Sequence, residues 1–378
     1  MKVEQFNWTH DLGWAKLKDA NIGEQANLVL VFGGIDDVHN PARFNELRTM
    51  YPTANIVFAS TAGEIIGDKV QDNTITATAV WYEKTRLEFC EINVGDNATS
   101  MDCGDAIREA LNHDDLSHIL VISDGSLVNG DELVRGINRG LPSHILVTGG
   151  LAADAGRFTK TYVGLNKPPE SGKIIAIGHY GSALNVSHGS KGGWDEFGPI
   201  RTVTRSQGNV LFQLDGQNAL DLYKKYLGEK ATELPGAALL YPLSLYTADG
   251  SQLVRTILSI DEETGSMTFA GDIPNGSEVR FMKANFDRLI DGATSAAEAS
   301  FHKTDQADPE LVLMISCVGR KIILDSRIGE EVESVHDFFG DDVIYTGFYS
   351  NGEISPVRDS VACSLHNQTM TITTYTEN

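Results

Sequence analysis

Three acidic side chains lie in glycine-containing turns that each follow a short apolar segment. Glu64 and Glu353 share the tripeptide Gly-Glu-Ile, and Asp154 lies in a third turn of similar composition. An acid at the end of a strand lies where open α/β sheets usually bind ligands. The alternative is that each acid caps the backbone of its own tight turn. The residues alone favour neither interpretation.

Strong catalytic signatures are absent from the sequence. It has no GxxxxGK[ST], no HExxH and no GxGxxG after a predicted strand. The best pairing of a nucleophile with a base is Cys317 with His366, because a thiol that follows a strand close to Arg320 could have a lowered pKa. The alternative for Cys317 is packing in the core. The missing motifs favour a binding protein over an enzyme.

One histidine has the surroundings of a cofactor ligand. His188 stands in Ser187-His188-Gly189, six residues before Trp194, in a glycine-rich segment. A neutral imidazole nitrogen is a common ligand of haem iron, and glycines let a flat macrocycle approach the backbone. Trp194 could stack on such a group. The alternative is a loop histidine that is hydrogen-bonded to the backbone.

Strands and helices must position these candidates. Short apolar segments closed by Gly, Ser or Thr predict buried strands at 27–32, 55–59, 118–122, 144–148, 173–177 and 311–316. Apolar side chains at helical spacing predict helices at 40–51, 130–139, 216–228, 285–300 and 330–339. Continuous apolar strands of this kind fit sheets that are covered on both faces.

The elements repeat along the chain. Three units, which begin at residues 27, 118 and 311, read strand, small-residue loop, helix, strand, glycine turn and two strands. The predicted fold class is therefore α/β, with α+β as the alternative: two domains of mixed β-sheet with packed helices, built from these related units. The glycine-rich segment 186–213 is the predicted linker, which gives domains at 1–212 and 213–378.

Charge and composition exclude several classes of function. The 378 residues include 52 Asp and Glu against 30 Lys and Arg, a net charge of −22. Such a surface repels phosphate backbones and anionic lipids, so we expect neither nucleic-acid nor membrane binding. No apolar run approaches the ~20 residues of a membrane helix. The N-terminus lacks the apolar core of an export signal, which predicts a cytoplasmic protein.

An ordered set of short motifs resembles the FIST family of bacterial sensory proteins. The matching pieces are STAGEI at 60–65, TGG at 148–150, SHG at 187–189 followed by Trp194, LDG at 214–216, SCVGR at 316–320, GFY at 347–349, GEI at 352–354 and LHNQTM at 365–370. The resemblance implies a sensor with an N-terminal and a C-terminal FIST domain, without intrinsic catalysis. It also implies small ligands such as amino acids.

One branch of that family resembles stand-alone nitric-oxide sensors that bind haem and regulate histidine kinases or cyclic-di-GMP enzymes. The resemblance implies that His188 is the haem-iron ligand here, with Trp194 beside it. This sequence departs from the family pattern, because residues 190–193 separate Gly189 from Trp194. The expected function is thus a cytoplasmic haem-based sensor of nitric oxide that relays to such a partner enzyme.

The alternative is a receptor of the same fold without haem. Glu64 and Glu353 would then hold the ammonium group of an amino-acid-like ligand, and Arg320 would hold its carboxylate. Cys317 and Asn367 complete the predicted set of ligand-binding residues. A repeat related by pseudo-symmetry would bring the two Gly-Glu-Ile turns to one cleft, with Arg320 as their counter-ion.

Overall fold

The computed structural model describes residues 1–247, 250–301, 308–357 and 362–378. Its strands are β1 Lys2–Thr9, β2 Gly13–Lys18, β3 Leu28–Gly34, β4 Asn55–Thr61, β5 Glu64–Ile66, β6 Lys69–Gln71, β7 Ile75–Trp81, β8 Arg86–Asn93, β9 Leu116–Ser123, β10 Leu146–Leu151, β11 Val163–Leu165, β12 Lys173–Tyr180, β13 Leu184–Lys191, β14 Asp195–Gln207, β15 Val210–Leu214, β16 Gln217–Asn218, β17 Leu243–Tyr246, β18 Gln252–Arg255, β19 Ile257–Asp261, β20 Ser266–Phe269, β21 Glu278–Lys283, β22 Leu311–Cys317, β23 Ile344–Ser350, β24 Gly352–Pro356, β25 Cys363–His366 and β26 Met370–Glu377.

Eight α-helices occur within these residues. They are α1 Ile35–Val38, α2 Pro41–Met50, α3 Ser100–Leu111, α4 Gly130–Asn138, α5 Ala219–Leu227, α6 Phe286–Ser300, α7 Val318–Leu324 and α8 Ile328–Phe339. The signals that predict α2 act as expected: the Asn40 side chain accepts a hydrogen bond from the N–H of Ala42, and Pro41 occupies the first turn. None of these helices has the length and apolar character needed to cross a membrane.

Three mixed sheets share one strand arrangement, which confirms the predicted α/β class. In each sheet a central strand has a parallel neighbour on one side and an antiparallel neighbour on the other: β4-β3-β7 in the first, β10-β9-β12 in the second and β23-β22-β26 in the third. Each central strand and its parallel neighbour come from one predicted repeat. The three repeats are therefore three copies of one structural unit.

The copies exchange a strand in a cycle. The short strand after the glycine turn leaves its own sheet and pairs with another: β5 of the first unit pairs with β23, β11 of the second with β4, and β24 of the third with β10. Each sheet is thus completed by a neighbouring unit. The predicted boundary after residue 212 stays a prediction, and the sheets contain strands from both sides of it.

The three sheets enclose a common core. Leu30, Leu120 and Leu313, one from each central strand, belong to a single cluster of fully buried side chains. The outer faces are covered by α2 on the first sheet, α3 and α4 on the second, and α6 and α8 on the third. Burial on both faces explains why the central strands are continuous apolar runs.

An inserted β-domain lies between β13 and α6. Its sheet has the order β18-β17-β21-β14-β15-β20-β19, and α5 packs on it. A buried ion pair joins it to the core, since Arg255 donates to Asp131 of α4 at 3.0 Å. The glycine-rich segment 186–213 is not the predicted linker. It forms β13, β14 and the start of β15.

Candidate functional site

Glu64 and Glu353 occupy equivalent positions in two exchanged strands. Glu64 is paired with Phe348 of β23, and Glu353 with Gly150 of β10, at corresponding places in the two sheets. In the second unit, Val163 takes this place opposite Ala59. The repeat therefore has two equivalent glutamates rather than three equivalent acids.

The two carboxyl groups also have matching hydrogen bonds. For Glu64, Thr61 Oγ1 lies 2.5 Å from one oxygen, and the N–H and hydroxyl of Thr74 donate to the other at 3.2 and 2.7 Å. For Glu353, Ser350 Oγ lies 2.8 Å from one oxygen, and the N–H and hydroxyl of Thr369 donate to the other at 3.2 and 2.9 Å.

Burial changes how these acids titrate. Both glutamates are fully buried, and loss of solvent raises the pKa of Glu64 to about 7 and that of Glu353 to about 8. Asp154 behaves differently. Although burial alone would raise it, the N–H groups of Thr159, Lys160 and Phe158 hold the pKa of Asp154 below its ordinary value. Asp154 caps its own loop, as the alternative interpretation predicted.

Arg320 binds neither glutamate directly, although its charge is near enough to act on the pKa of Glu353. Its guanidinium is fully buried and pairs with Glu331 of α8, with Nε at 2.7 Å and Nη2 at 2.5 Å from the same oxygen. The remaining donors bind the carbonyls of Gly192, Leu289 and Gln368 at 2.5, 2.6 and 3.3 Å. These bonds correct the prediction, because they occupy the group that would have bound a ligand carboxylate.

The predicted receptor residues are not joined to one another by hydrogen bonds or ion pairs among the described residues. Glu64, Glu353 and Arg320 each bind other residues of the described chain and form no hydrogen bond or ion pair with one another. Asn367 has other partners: its Oδ1 accepts from the N–H of Thr256 at 3.4 Å, and its amide donates to the main-chain carbonyl of His366. Direct hydrogen bonds therefore do not link the two glutamates and Arg320, and a shared ligand site between the glutamates stays a prediction.

Cys317 and His366 do not form a nucleophile–base pair. Burial raises the pKa of the Cys317 thiol well above its ordinary value. Burial also lowers the pKa of His366 to about 4, and its Nε2 lies 2.9 Å from the carbonyl of Ser355. Cys317 is the last residue of β22 rather than the residue after it, and it is a buried thiol whose own N–H donates to the carbonyl of Thr369.

His188 lies in a strand and is partly exposed. His188 is in β13, where its Nδ1 lies 3.2 Å from Ser355 Oγ, and burial lowers its pKa. A Cβ on Gly189 would lie 2.0 Å from the carbonyl oxygen of Ala296, so this glycine lets α6 approach the strand. Trp194 is 9% exposed and donates its ring N–H to a main-chain carbonyl. These contacts hold one ring nitrogen of His188, and haem binding at this residue stays a prediction.

A cavity of about 750 Å³ lies between the core and the inserted domain. The core contributes Ser190, Lys191, Gly192, Gly193, Trp194, Val357, His366 and Thr369, and the inserted domain contributes Ser244, Gly250, Ser251, Gln252, Val254 and Met282. Two of the sequence motifs meet here, the segment around Trp194 and the LHNQTM segment. The lining combines hydroxyl and amide groups with one apolar wall.

One feature of this cavity points to a ligand. Ser244 is fully buried, and its hydroxyl has no hydrogen-bond partner among the described residues. A buried hydroxyl without a partner costs about 1–3 kcal/mol. Buried polar groups are nearly always paired, so the hydroxyl of Ser244 is a candidate hydrogen-bond group for a molecule that binds in the cavity.

Arg320 holds this cavity in shape without lining it. The carbonyl of Gln368 accepts from both Arg320 and the ring N–H of Trp194, at 3.3 and 2.9 Å. The carbonyl of Gly192 accepts from Arg320 as well. Arg320 thereby connects the two core segments that form the wall and fixes their positions relative to each other.

Sequence reasoning identified part of this site. Trp194 was a candidate, and Thr369 and His366 lie in a motif that carried the family resemblance. Ser244, Gln252 and Met282 were not found, because they lie in plain strands of the inserted domain and no motif marks them. Only the packing of the inserted domain against the core brings these three residues into the cavity wall.

Two known domain families match this chain. The FIST N domain matches residues 27–217, and the FIST C domain matches residues 219–356. An uncharacterized protein of Methanocaldococcus jannaschii, MJ1623, is 21% identical over 343 residues, which cover 84% of this chain and 65% of that protein. The chain thus spans slightly less than two thirds of the length of this relative.

Proposed function

Because the chain belongs to the FIST family of signal-transduction sensor domains, we propose that it is a non-catalytic receptor for a small ligand. The ligand occupies the cavity between the core and the inserted domain. Its binding is relayed to a partner enzyme, a histidine kinase or a cyclic-di-GMP enzyme. The observation that carries the proposal is the unpartnered hydroxyl of buried Ser244 in the wall of that cavity.

The lining indicates the chemistry of the ligand. The hydroxyls of Ser190 and Ser244 and the amide of Gln252 can bind a polar head group. Trp194 and Met282 offer an apolar wall to the rest of the molecule. A small amino-acid-like compound with an apolar side chain has both parts.

The position of the cavity supports a sensing role. Its two walls belong to two differently folded parts of the chain, so a ligand that contacts both stabilises one arrangement of them over others. A cavity between two packed parts is also a frequent place for ligands. Binding energy can thereby be converted into a change in the surface that a partner enzyme contacts.

The test is calorimetric titration with a panel of amino acids and small carboxylic acids, monitored in parallel by tryptophan fluorescence of the parent and of Trp194→Phe, because the chain has four tryptophans. We expect at least one compound to bind and to change the emission. Ser244→Ala should then weaken binding by about 2- to 10-fold, because one hydrogen bond is lost. The matched control is Ser259→Ala, at an exposed position of the same domain. Equal affinity in both variants would contradict the proposed site.

Haem binding is the second candidate function, and its basis is the resemblance described above rather than the contacts of His188. A haem titration followed by desalting separates the two candidates. The receptor proposal predicts that no Soret band is retained. A retained band that His188→Ala abolishes, in a variant with unchanged circular dichroism, would favour the haem-based nitric-oxide sensor instead.

A further inference from the structure

The two walls of the ligand cavity each carry one polar atom without a partner. On the inserted domain this atom is Oγ of Ser244, which makes no hydrogen bond among the described residues. On the core it is Nδ1 of His366, to which no described residue forms a hydrogen bond either. Both residues line the cavity. A ligand that binds both atoms therefore bridges the two walls.

The contact of the other ring nitrogen fixes the tautomer of His366. Its Nε2 lies 2.9 Å from the carbonyl oxygen of Ser355. A carbonyl oxygen only accepts hydrogen bonds, so Nε2 must carry the hydrogen. Burial lowers the pKa of His366 to about 4, so the ring is neutral near pH 7. A neutral imidazole has one N–H group, and Nδ1 of His366 is therefore an acceptor that lacks a donor.

This acceptor is open to the cavity. His366 is 4% exposed, and the cavity is where that exposed surface lies. Nδ1 is not one of the fully buried polar atoms without a partner, so it belongs to the exposed part of the ring. A ligand in the cavity can reach it without displacing a protein hydrogen bond.

The surroundings of His366 determine which kind of donor fits there. Burial and the positive charge of Arg255 both disfavour a proton on the ring. A ligand ammonium at Nδ1 would meet the same surroundings, so it is disfavoured for the same reasons. A carboxylate has no hydrogen to donate and would place one acceptor against another. An uncharged N–H or O–H group has neither disadvantage.

We propose that the cavity selects ligands with an uncharged hydrogen-bond donor, an amide or an alcohol, which binds Nδ1 of His366, and with an acceptor that binds the hydroxyl of Ser244. A primary amide supplies both groups. His366 is thus the residue that determines specificity, and the apolar part of the ligand lies against Trp194 and Met282. This inference rests on the proposed function in taking the cavity as the ligand site, and it narrows the class of ligand.

Nitrogen-15 NMR of the histidine rings tests the assignment. The signals of His366 are those that disappear in His366→Gln. In the free protein we expect hydrogen on Nε2 and none on Nδ1. Three probes with the same apolar tail are then added: 4-methylpentanamide, 4-methylpentanoate and 4-methylpentylamine. The amide should shift the Nδ1 signal, and it should bind at least about 10-fold more tightly than the carboxylate or the ammonium.

Two variants locate the bound amide. Ser244→Ala should weaken the binding of 4-methylpentanamide by about 2- to 10-fold, because one of its two hydrogen bonds is lost. His366→Gln keeps an N–H for Ser355 but moves the acceptor, so it should remove the preference for the amide over the carboxylate. Ser259→Ala, at an exposed position, should change neither property. If circular dichroism shows that His366→Gln does not fold, the preference of the parent and the effect of Ser244→Ala decide.

Three results would overturn the inference: hydrogen on Nδ1 in the free protein, an equal response to the carboxylate or the ammonium, or no response to the amide. The proposed function fails by a different result. If an amino acid binds in a Ser244-dependent manner and the signals of His366 do not move, the receptor stands and the role of His366 is wrong. If the amide alone shifts Nδ1 and no amino acid or carboxylic acid binds, the role of His366 stands and the amino-acid-like ligand is wrong.

Discussion

Replacing the buried carboxyl of Glu353 by an amide should remove a pH dependence of stability. The geometry already fits a protonated carboxyl. Ser350 Oγ lies 3.2 Å from the carbonyl of Ser316 and 2.8 Å from Glu353. A serine hydroxyl has one hydrogen, so when it is donated to that carbonyl, the carboxyl must donate to the serine. Glu353→Gln places an N–H at this point and keeps the acceptor for Thr369.

The sign of the effect follows from the direction of the pKa shift. The pKa of Glu353 rises from 4.5 to about 8 on folding, so the folded state binds the proton more tightly. The contribution of protonated Glu353 to the free energy of unfolding is complete below pH 4.5 and is lost as the pH rises through about 8. Each pKa unit corresponds to about 1.4 kcal/mol, so the loss across this range is roughly 5 kcal/mol. For Glu64, with a pKa of about 7, it is roughly 3 kcal/mol.

Urea unfolding between pH 5 and 9 measures the effect. We expect the free energy of unfolding of Glu353→Gln to equal that of the parent near pH 5 and to exceed it by up to about 5 kcal/mol near pH 9. Glu64→Gln should show the smaller difference. Glu109→Gln, at an exposed position of α3, controls for the change in net charge. A constant difference between parent and Glu353→Gln at all pH values would refute the reasoning.

Three further predictions concern packing and buried charge. Gly189→Ala should lower the free energy of unfolding in a denaturant titration by about 1–3 kcal/mol, because the added Cβ would collide with the backbone of α6. Gly95→Ala is the control and should change this free energy little, because there is open space around Gly95. Arg320→Met should lower the free energy of unfolding by about 3–5 kcal/mol, because it leaves Glu331 buried without its counter-ion. Adding Glu331→Leu should recover much of this loss. Cys317 should resist iodoacetamide in the folded protein and react after unfolding; rapid labelling of the native chain, detected by mass spectrometry, would contradict its burial.

Local elements of the fold could be predicted from the sequence because their signals are local. Apolar runs located the central strands, and a cap followed by proline located α2. The helix α3 was not predicted, although Thr99 and Asp102 form a reciprocal capping box at its start. That signal was present, but the glycine and polar residues inside the helix obscured the apolar pattern.

The arrangement of the units could not be predicted in the same way. A repeat shows that three units share one fold, but it does not show which sheet each short strand joins. The exchange of β5, β11 and β24 depends on pairings between residues far apart in the chain. The same holds for Arg320: its partner Glu331 lies on a predicted helix, but only the packing of α8 makes that acid buried.

The strand pair β24–β25 connects Glu353 with the ligand cavity. Glu353 begins the pair and is held by Thr369, a residue of the cavity wall. Two residues further along β24, the carbonyl oxygen of Ser355 lies 2.9 Å from Nε2 of His366, which also lines the cavity. Coupling between two binding events is reciprocal. A ligand that takes the hydroxyl of Thr369 must therefore raise the proton affinity of Glu353, because the ionised carboxylate loses a donor, and protonation of Glu353 must favour that ligand by the same factor.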